Sequence, residues 1–409
     1  MTEPLKRLLF AIAAFLLVFS RRPDALLRAQ FWAEDGRVWY ADAYNHGIAY
    51  SLLTPEAGYF QTFSRLVGIV SQAVPLSYAP LLYNLSAISL QVVIAAFIAS
   101  RRLERAIPQK PVRLLIAFVY LALPHAWEVF SNITNSQWHL ALLAFLVIAA
   151  APPIGRAWHI FDALAVCLSA LTGPFCLILV PVAALKYWHR RESWKLVLLG
   201  ILAAGAVLQT LSLLSHTRPS SAPLGADLAT FLHITGRHLF ASAVLGGRGY
   251  IALAKFGWLE ISVLTVANIL GIAGAIYCFV RGPIELRMLI LFSLLIVTGA
   301  LVSPAVSPDR PQWLVMATDN TALRYWFIPN FCLFVSLIYL AARGPHGAVR
   351  AAAGLLLAVS LTGIAADWRI PPYKDLDFQI FAAAFKNAPA GEPFEIPINP
   401  DWKMTLIKK

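Results

Sequence analysis

Charged residues make up only 13% of this 409-residue chain, against a hydrophobic share of 59% and a mean hydropathy of +0.68. A soluble domain is usually about 45–50% apolar, so an ordinary water-soluble fold is excluded. Cysteine is scarce too: Cys167, Cys176, Cys278 and Cys332 lie in or beside apolar stretches, with no paired spacing outside them. A disulfide framework and a zinc site drop out, which leaves packing as their role. The chain has no Gly-Lys-Ser/Thr phosphate loop, no His-Glu-x-x-His and no Gly-x-Ser-x-Gly elbow, and three widespread catalytic frameworks go with them. Acids are nearly missing from the apolar stretches, apart from Asp162 and Glu260 near their ends. A proton- or ion-coupled transporter normally needs ionisable groups or broken helices near the bilayer midplane, and no internal repeat suggests inverted halves.

What is present is a succession of apolar runs, each long enough at about 20 residues for a helix to cross a hydrocarbon core of about 30 Å. Helices are the expected spanning element, because backbone groups in lipid must be satisfied within the segment. The first run, Leu8 to Phe19 after Lys6 and Arg7, has the length of a signal peptide. No small-residue cleavage site precedes Arg21 and Arg22, so it reads as an uncleaved first helix. The net charge of +12 is attributed to loop topology and to membrane lipids with anionic headgroups; nucleic acid is not an expected partner.

Lys and Arg in short loops mark the cytoplasmic side. That places Arg101, Arg102, Arg105, Lys110 and Arg113 inside, together with Lys186, Arg190, Arg191 and Lys195, Arg281 with Arg287, and Arg343 with Arg350. The expected spans are 6–20, 77–100, 114–130, 137–152, 159–172, 174–187, 194–214, 258–280, 288–303, 325–342 and 351–366. These eleven crossings put the N-terminus in the cytoplasm and the C-terminus outside. Thr172-Gly173-Pro174 divides one apolar stretch into two short arms, which keeps both basic flanks cytoplasmic. The fold class is an all-α polytopic membrane bundle with outer-face loops and interfacial helices.

Residues 1–366 form the transmembrane unit, with 21–76 and 215–257 as its long outer loops, and 367–409 form a small outer cap. Within the first loop, Tyr59 to Val74 spaces Phe60, Phe63, Leu66, Val67 and Val70 like a helix lying in the interface. The second long loop opens with His-Thr-Arg-Pro-Ser-Ser-Ala-Pro, and a helix then ends near Gly246-Gly247-Arg248-Gly249. The segment 304–324 also faces outward. In the cap, Pro371, Pro372, Pro389, Pro393, Pro397 and Pro400 argue against one long helix, and a short helix is expected near Leu376 to Phe385.

Polar chemistry concentrates in these outward segments. Directly after the first span comes Phe31-Trp32-Ala33-Glu34-Asp35-Gly36. A carboxylate at a partly desolvated boundary gains proton affinity and can serve as a general base. Asp35 and Asp42, seven apart, fall on one face of a helix that starts near Ala33, while Trp32, Trp39 and Tyr40 offer faces for a sugar ring. The competing reading is interfacial solvation with an aromatic belt.

A long outer loop that opens with this acidic pair, followed by an interfacial helix and the remaining apolar spans, resembles the GT-C class of membrane glycosyltransferases. The resemblance covers the whole chain in architecture and rests locally on Glu34-Asp35. It implies a polyprenyl-phosphate sugar as donor, a glycan or glycolipid as acceptor, and an acid of the first outer loop, Asp35 or Glu34, as catalytic base.

Two further groups fit such a site. Between the third and fourth expected spans, His125, Glu128, Asn132, Asn135, Gln137, Trp138 and His139 combine an aromatic face with amides that donate to and accept from sugar hydroxyls; helix capping and interfacial anchoring are the alternative. Arg237, His238, Arg248, Arg310 and Arg324 offer donors suited to a phosphate, with Arg324 beside Tyr325 the first choice and snorkelling toward headgroups the alternative. The spacing of His125 and His139 identifies no metal site, and no cofactor is called for, although a divalent cation, Mg or Mn, stays open. The expected activity is inverting sugar transfer at the periplasmic or extracellular face of a bacterial inner membrane. Its rivals are a polysaccharide polymerase or ligase using a diphosphate-linked glycan, where outer-loop arginines matter more than the acids, and a non-enzymatic glycolipid transporter.

Overall fold

The computed structural model describes residues 2–215 and 222–409; most of the Pro/Ser-rich stretch, from His216 to Ser221, lies outside the described residues. The described chain is mostly helical. A helix occupies each segment expected to span: Glu3–Arg21, Ala79–Ala99, Lys110–Ala122, Ser136–Ala149, Arg156–Ala170, Phe175–Arg190, Ser193–Ser215, Trp258–Arg281, Ile284–Val302, Phe327–Arg343 and Gly347–Ala366. Six helices among the described residues are long and apolar enough to cross a membrane: Leu76–Ala99, Ser193–Ser215, Trp258–Arg281, Ile284–Val302, Leu323–Arg343 and Gly347–Ala366. Of the others, Glu3–Arg21 carries several charges, and the four between Lys110 and Arg190 have 13 to 16 residues. The long helices leave Leu211, Leu214, Ile269, Leu270 and Leu355 exposed, an apolar exterior that suits lipid rather than water.

The connections gather at two ends. At one, the basic loops are tied down: Arg102 grips both carboxylate oxygens of Asp162 (3.0 and 2.8 Å) and the Ala151 carbonyl (3.0 Å). Lys186 meets Glu285 at 2.7 Å. Lys195 donates to the Val147 and Ala150 carbonyls, placing a cation where the Ser136–Ala149 helix leaves carbonyls unpaired. The other end holds residues 22–76, the 123–135 loop, the 222–257 and 303–326 segments and the C-terminal tail.

Several boundaries differ from expectation, each for a local reason. The third expected span, 114–130, is helical only to Ala122, because Leu123 precedes Pro124 and the residue before proline disfavours the helical region. Arg21 takes the freed carbonyls, donating to Leu121 (2.8 Å) and Leu123 (3.1 Å). The interfacial helix starts at Thr62, not Tyr59, since Phe60 to Thr62 pairs instead with Leu171 to Gly173. Thr172-Gly173-Pro174 does separate two helices. The second long loop holds the Leu228–Ile234 helix, a π-helical Thr235–Ala241 segment and the Ser242–Ala254 helix, which is broken at Gly246 rather than ended there.

The tail contains the short Phe378–Lys386 helix and an antiparallel hairpin, β1 (Pro393–Ile398) and β2 (Trp402–Ile407). Ile396, Ile398, Met404 and Leu406 alternate inward and join Phe31, Tyr40 and Phe378 in one core. Asn399, beyond the end of β1, brackets the first loop: it accepts from the Ala33 N–H (2.6 Å) and donates to the Phe31 carbonyl (3.3 Å). The tail therefore holds the Phe31–Gly36 segment in place.

Candidate active site

Asp35 opens a π-helical segment, Asp35–Tyr40. This wider winding breaks the α-helical spacing that would have set Asp35 and Asp42 on one face. Asp35 turns inward, with 0% exposure, and accepts from the Ile133 N–H (3.1 Å), the Thr134 N–H (2.7 Å) and the Thr134 hydroxyl (2.9 Å). Burial raises its pKa to about 7 against the pull of those donors, and Glu34 adds to the rise. Asp42 instead pairs with Arg65, whose guanidinium lies over the Trp39 ring at 4.8 Å. Trp39 is buried and donates to the Thr134 hydroxyl (3.1 Å). Gly68 permits this layer: a Cβ there would fall 2.3 Å from the Trp39 carbonyl oxygen.

Asp35, Asp42 and Trp39 thus serve the loop's interior. Glu34 is different. The residue is half-buried, and its carboxylate has no hydrogen bond or ion pair among the described residues. It lies in the fields of Glu56 and Tyr59. Burial raises the pKa of the Glu56 carboxyl, with Arg65 pulling the other way. Burial also raises the Tyr59 phenol, with Gln137 and Arg324 pulling the other way and Tyr325 and Glu34 adding to the rise.

Arg324 closes this ring of polar groups. Its guanidinium grips one oxygen of Glu128, its backbone N–H donates to the other (3.1 Å) and its second nitrogen reaches the Ala305 carbonyl (2.9 Å). Aromatic faces surround the ring. Trp32 stacks on Tyr373 at 5.4 Å and meets Trp127 edge-on at 6.3 Å. Trp138 lies 5.6 Å from Tyr325 and 4.6 Å from Phe175, with an indole N–H that has no partner. Gly173, at φ +82°, leaves room for Gln137, whose side-chain oxygen would lie 2.2 Å from a Cβ at that position.

The other expected site residues are committed elsewhere. Asn132 and Asn135 bond each other and the carbonyls of Glu128 and Phe130; as buried amides in a tight loop, they present no platform to a sugar. His139 is buried between the Tyr120 hydroxyl and the Val129 carbonyl, 2.8 Å from each. Arg237 donates to the Ala317 carbonyl, and Arg248 to the Ala366 and Arg369 carbonyls (2.9 and 3.1 Å). His238 meets the Met316 carbonyl and His125, each at 2.7 Å. These basic groups do not converge on Arg324. Among the described residues no three His, Cys, Asp or Glu side chains group as a metal ion would need.

Backbone strain marks the same place. Eight described non-glycine residues have positive φ, and five of them, Ala33, Ala57, His125, Ser131 and Ala322 (φ 47° to 60°), adjoin or flank Glu34, Glu56, Glu128 and Arg324. Such conformations cost roughly 1–3 kcal/mol each and cluster where a site holds its groups in place. Residue types and spacing alone missed Glu56, Tyr59, Trp127 and Tyr373, which come from three separate stretches. A scan of protein-family models finds none that matches this chain, and a search of curated proteins finds no match either.

Proposed function

We propose that the chain is a GT-C-like membrane glycosyltransferase, moving a sugar from a polyprenyl-phosphate carrier to a hydroxyl of a glycan or glycolipid at the outer face of a bacterial inner membrane. In this reading all eleven helices cross, and the five shorter or more charged ones are sheltered by the rest. One observation carries it: the unpaired carboxylate of half-buried Glu34 and the Arg324 guanidinium both act on Tyr59, beside partly exposed aromatic faces and strained backbone at one end of an apolar helical bundle.

Glu34 is the base. It takes the proton of the acceptor hydroxyl as that oxygen attacks the anomeric carbon from the face opposite the phosphate. The bond to phosphate breaks with its electron pair passing to the phosphate oxygen, where Arg324 stabilises the charge. Asp35 is a positioning residue that joins the first loop to Ile133 and Thr134. Trp32 and Trp127 supply sugar-stacking faces, and Gln137, Tyr59 and Tyr325 supply polar contacts.

Purified protein supplied with radiolabelled polyprenyl-phosphate sugars and a lipid-linked glycan acceptor should transfer label. Glu34→Gln should lower the rate about 10²- to 10⁴-fold, the usual range for a positioned base, with the melting temperature unchanged. Full activity in Glu34→Gln would sink the assignment of the base; no transfer from any polyprenyl-phosphate sugar would sink the reading as a whole.

A further inference from the structure

The Arg324–Glu128 contact is more open than the Arg102–Asp162 pair that ties down the basic loops. Arg102–Asp162 leaves its side chains 8% and 0% exposed, and Trp194 and the Ala151 carbonyl complete its shell. Arg324 and Glu128 are 24% and 12% exposed. Each stands on a single turn of 3-10 helix, Leu323–Trp326 and Trp127–Val129, bordered by the positive-φ residues Ala322, His125 and Ser131. The two carboxylate oxygens of Glu128 take two donors from one residue, the guanidinium and the backbone N–H of Arg324. Those donors form a seat for a pair of anionic oxygens, and the chain's own carboxylate fills it.

We infer that Glu128 is a displaceable occupant of the anion seat at Arg324, so that an incoming phosphoryl group takes the carboxylate's place and the seat holds one phosphoryl group. The inference rests on the proposed function in one respect, that the donor phosphate meets Arg324. A glycosyl phosphodiester carries a single negative charge, as Glu128 does, so Arg324 keeps a monoanionic partner through the exchange. Two oxygens of a phosphoryl group match the paired donors that the carboxylate leaves. A diphosphate would call for a second cation, and the guanidinium groups of Arg237 and Arg248 are already spent on backbone carbonyls. After transfer, the returning Glu128 competes with the cleaved lipid phosphate for the same two donors, which favours product release.

Farnesyl phosphate and farnesyl diphosphate, neither carrying a sugar, test this by tryptophan fluorescence on the purified full chain. Wild-type protein is expected to bind farnesyl phosphate at least as tightly as the diphosphate. Glu128→Gln, with the charge removed, should tighten farnesyl phosphate binding about tenfold, on the scale of a close competing charge. Glu128→Asp, one methylene short of bridging both donors, should tighten it less, and Arg324→Gln should abolish it. Unchanged or weaker binding in both Glu128 variants would overturn the displacement, and diphosphate binding tenfold tighter than monophosphate would overturn the single-phosphoryl seat. If Glu128→Gln does not fold, Glu128→Asp and the wild-type comparison still decide. Because the ligands carry no sugar, Glu128-dependent binding without any sugar transfer would fail the proposed function alone; transfer without Glu128-dependent binding would fail this inference alone.

Discussion

Replacing Asp35 with Asn keeps the side chain's shape but turns one oxygen into a donor, which must then face a backbone N–H or the Thr134 hydroxyl. Leaving such a buried donor unpaired costs about 1–3 kcal/mol, so Asp35→Asn should lower the melting temperature and act on transfer mainly through misplacement of Glu34. The pH dependence follows from burial. The folded-state pKa, about 7, lies above the ordinary value of 3.8, so the folded state holds the proton more tightly than the unfolded one. The stability Asp35 contributes is complete below about pH 4 and is lost as pH rises through about 7. Relative to Asp35→Asn, wild-type melting temperatures should fall between those limits and run parallel above them; parallel curves throughout would refute the assignment. At this scale the sequence marked the acidic pair but not its division of labour. Two adjacent residues on a helix point to different sides, and only the winding of Asp35–Tyr40 and its contact with Ile133 and Thr134 decide which carboxylate is buried.

Between elements, the least usual joint is His125 with His238. His238 donates its Nε2 hydrogen to the Met316 carbonyl, and with both rings held neutral by burial its Nδ1 accepts from His125 Nε2. Burial lowers the His125 pKa to about 4, with Asp367 raising it and Arg237 lowering it further; His238 lies well below its ordinary value, again chiefly through burial, with His125, Arg237 and His233 adding to the shift. Depressed histidines give stability that is present above about 6.5 and lost as pH falls through about 4. Hydrogen-exchange protection factors in the Leu228–Ala254 segment, taken against the intrinsic rate at each pH, should therefore fall on acidification across that window, and the His125→Asn, His238→Gln double variant should lose the dependence. Unaltered protection factors from pH 7 to 4 in wild type would count against the joint. Helices were readable from long apolar runs, but their ends were not where a distant partner set them: Arg21 closing the helix at Ala122, or Leu171 drawing Phe60 to Thr62 into pairing. The hairpin was written in the alternation of Phe394, Ile396 and Ile398 with Trp402, Met404 and Leu406. Its prolines obscured that pattern, because Pro397 sits inside β1.

For the molecule as a whole, the two ends differ in what their charges do. Arg102, Arg105, Lys186 and Lys195 at one end are bound to acids or helix carbonyls, so they staple short turns. At the other end the tail and first loop share a core, and Glu34, Arg324 and the aromatic faces lie where that core meets the bundle. Under the proposed topology, the short basic loops stay in the cytoplasm and every longer segment is exported. A cysteine-free background carrying single cysteines at the exposed positions His46, Glu104, Arg350 and Lys386 tests this on intact cells with a membrane-impermeant maleimide. His46→Cys and Lys386→Cys should label before lysis, and Glu104→Cys and Arg350→Cys only afterwards. An odd number of crossings further requires Thr2→Cys to label on the side opposite Lys386→Cys. If both termini label together, the crossings are even in number, and an odd number of the helices, expected among the five short or charged ones, does not cross. Glu3–Arg21 would be the first suspect, because its Glu3, Lys6 and Arg7 lie in the helix that the whole alternation starts from.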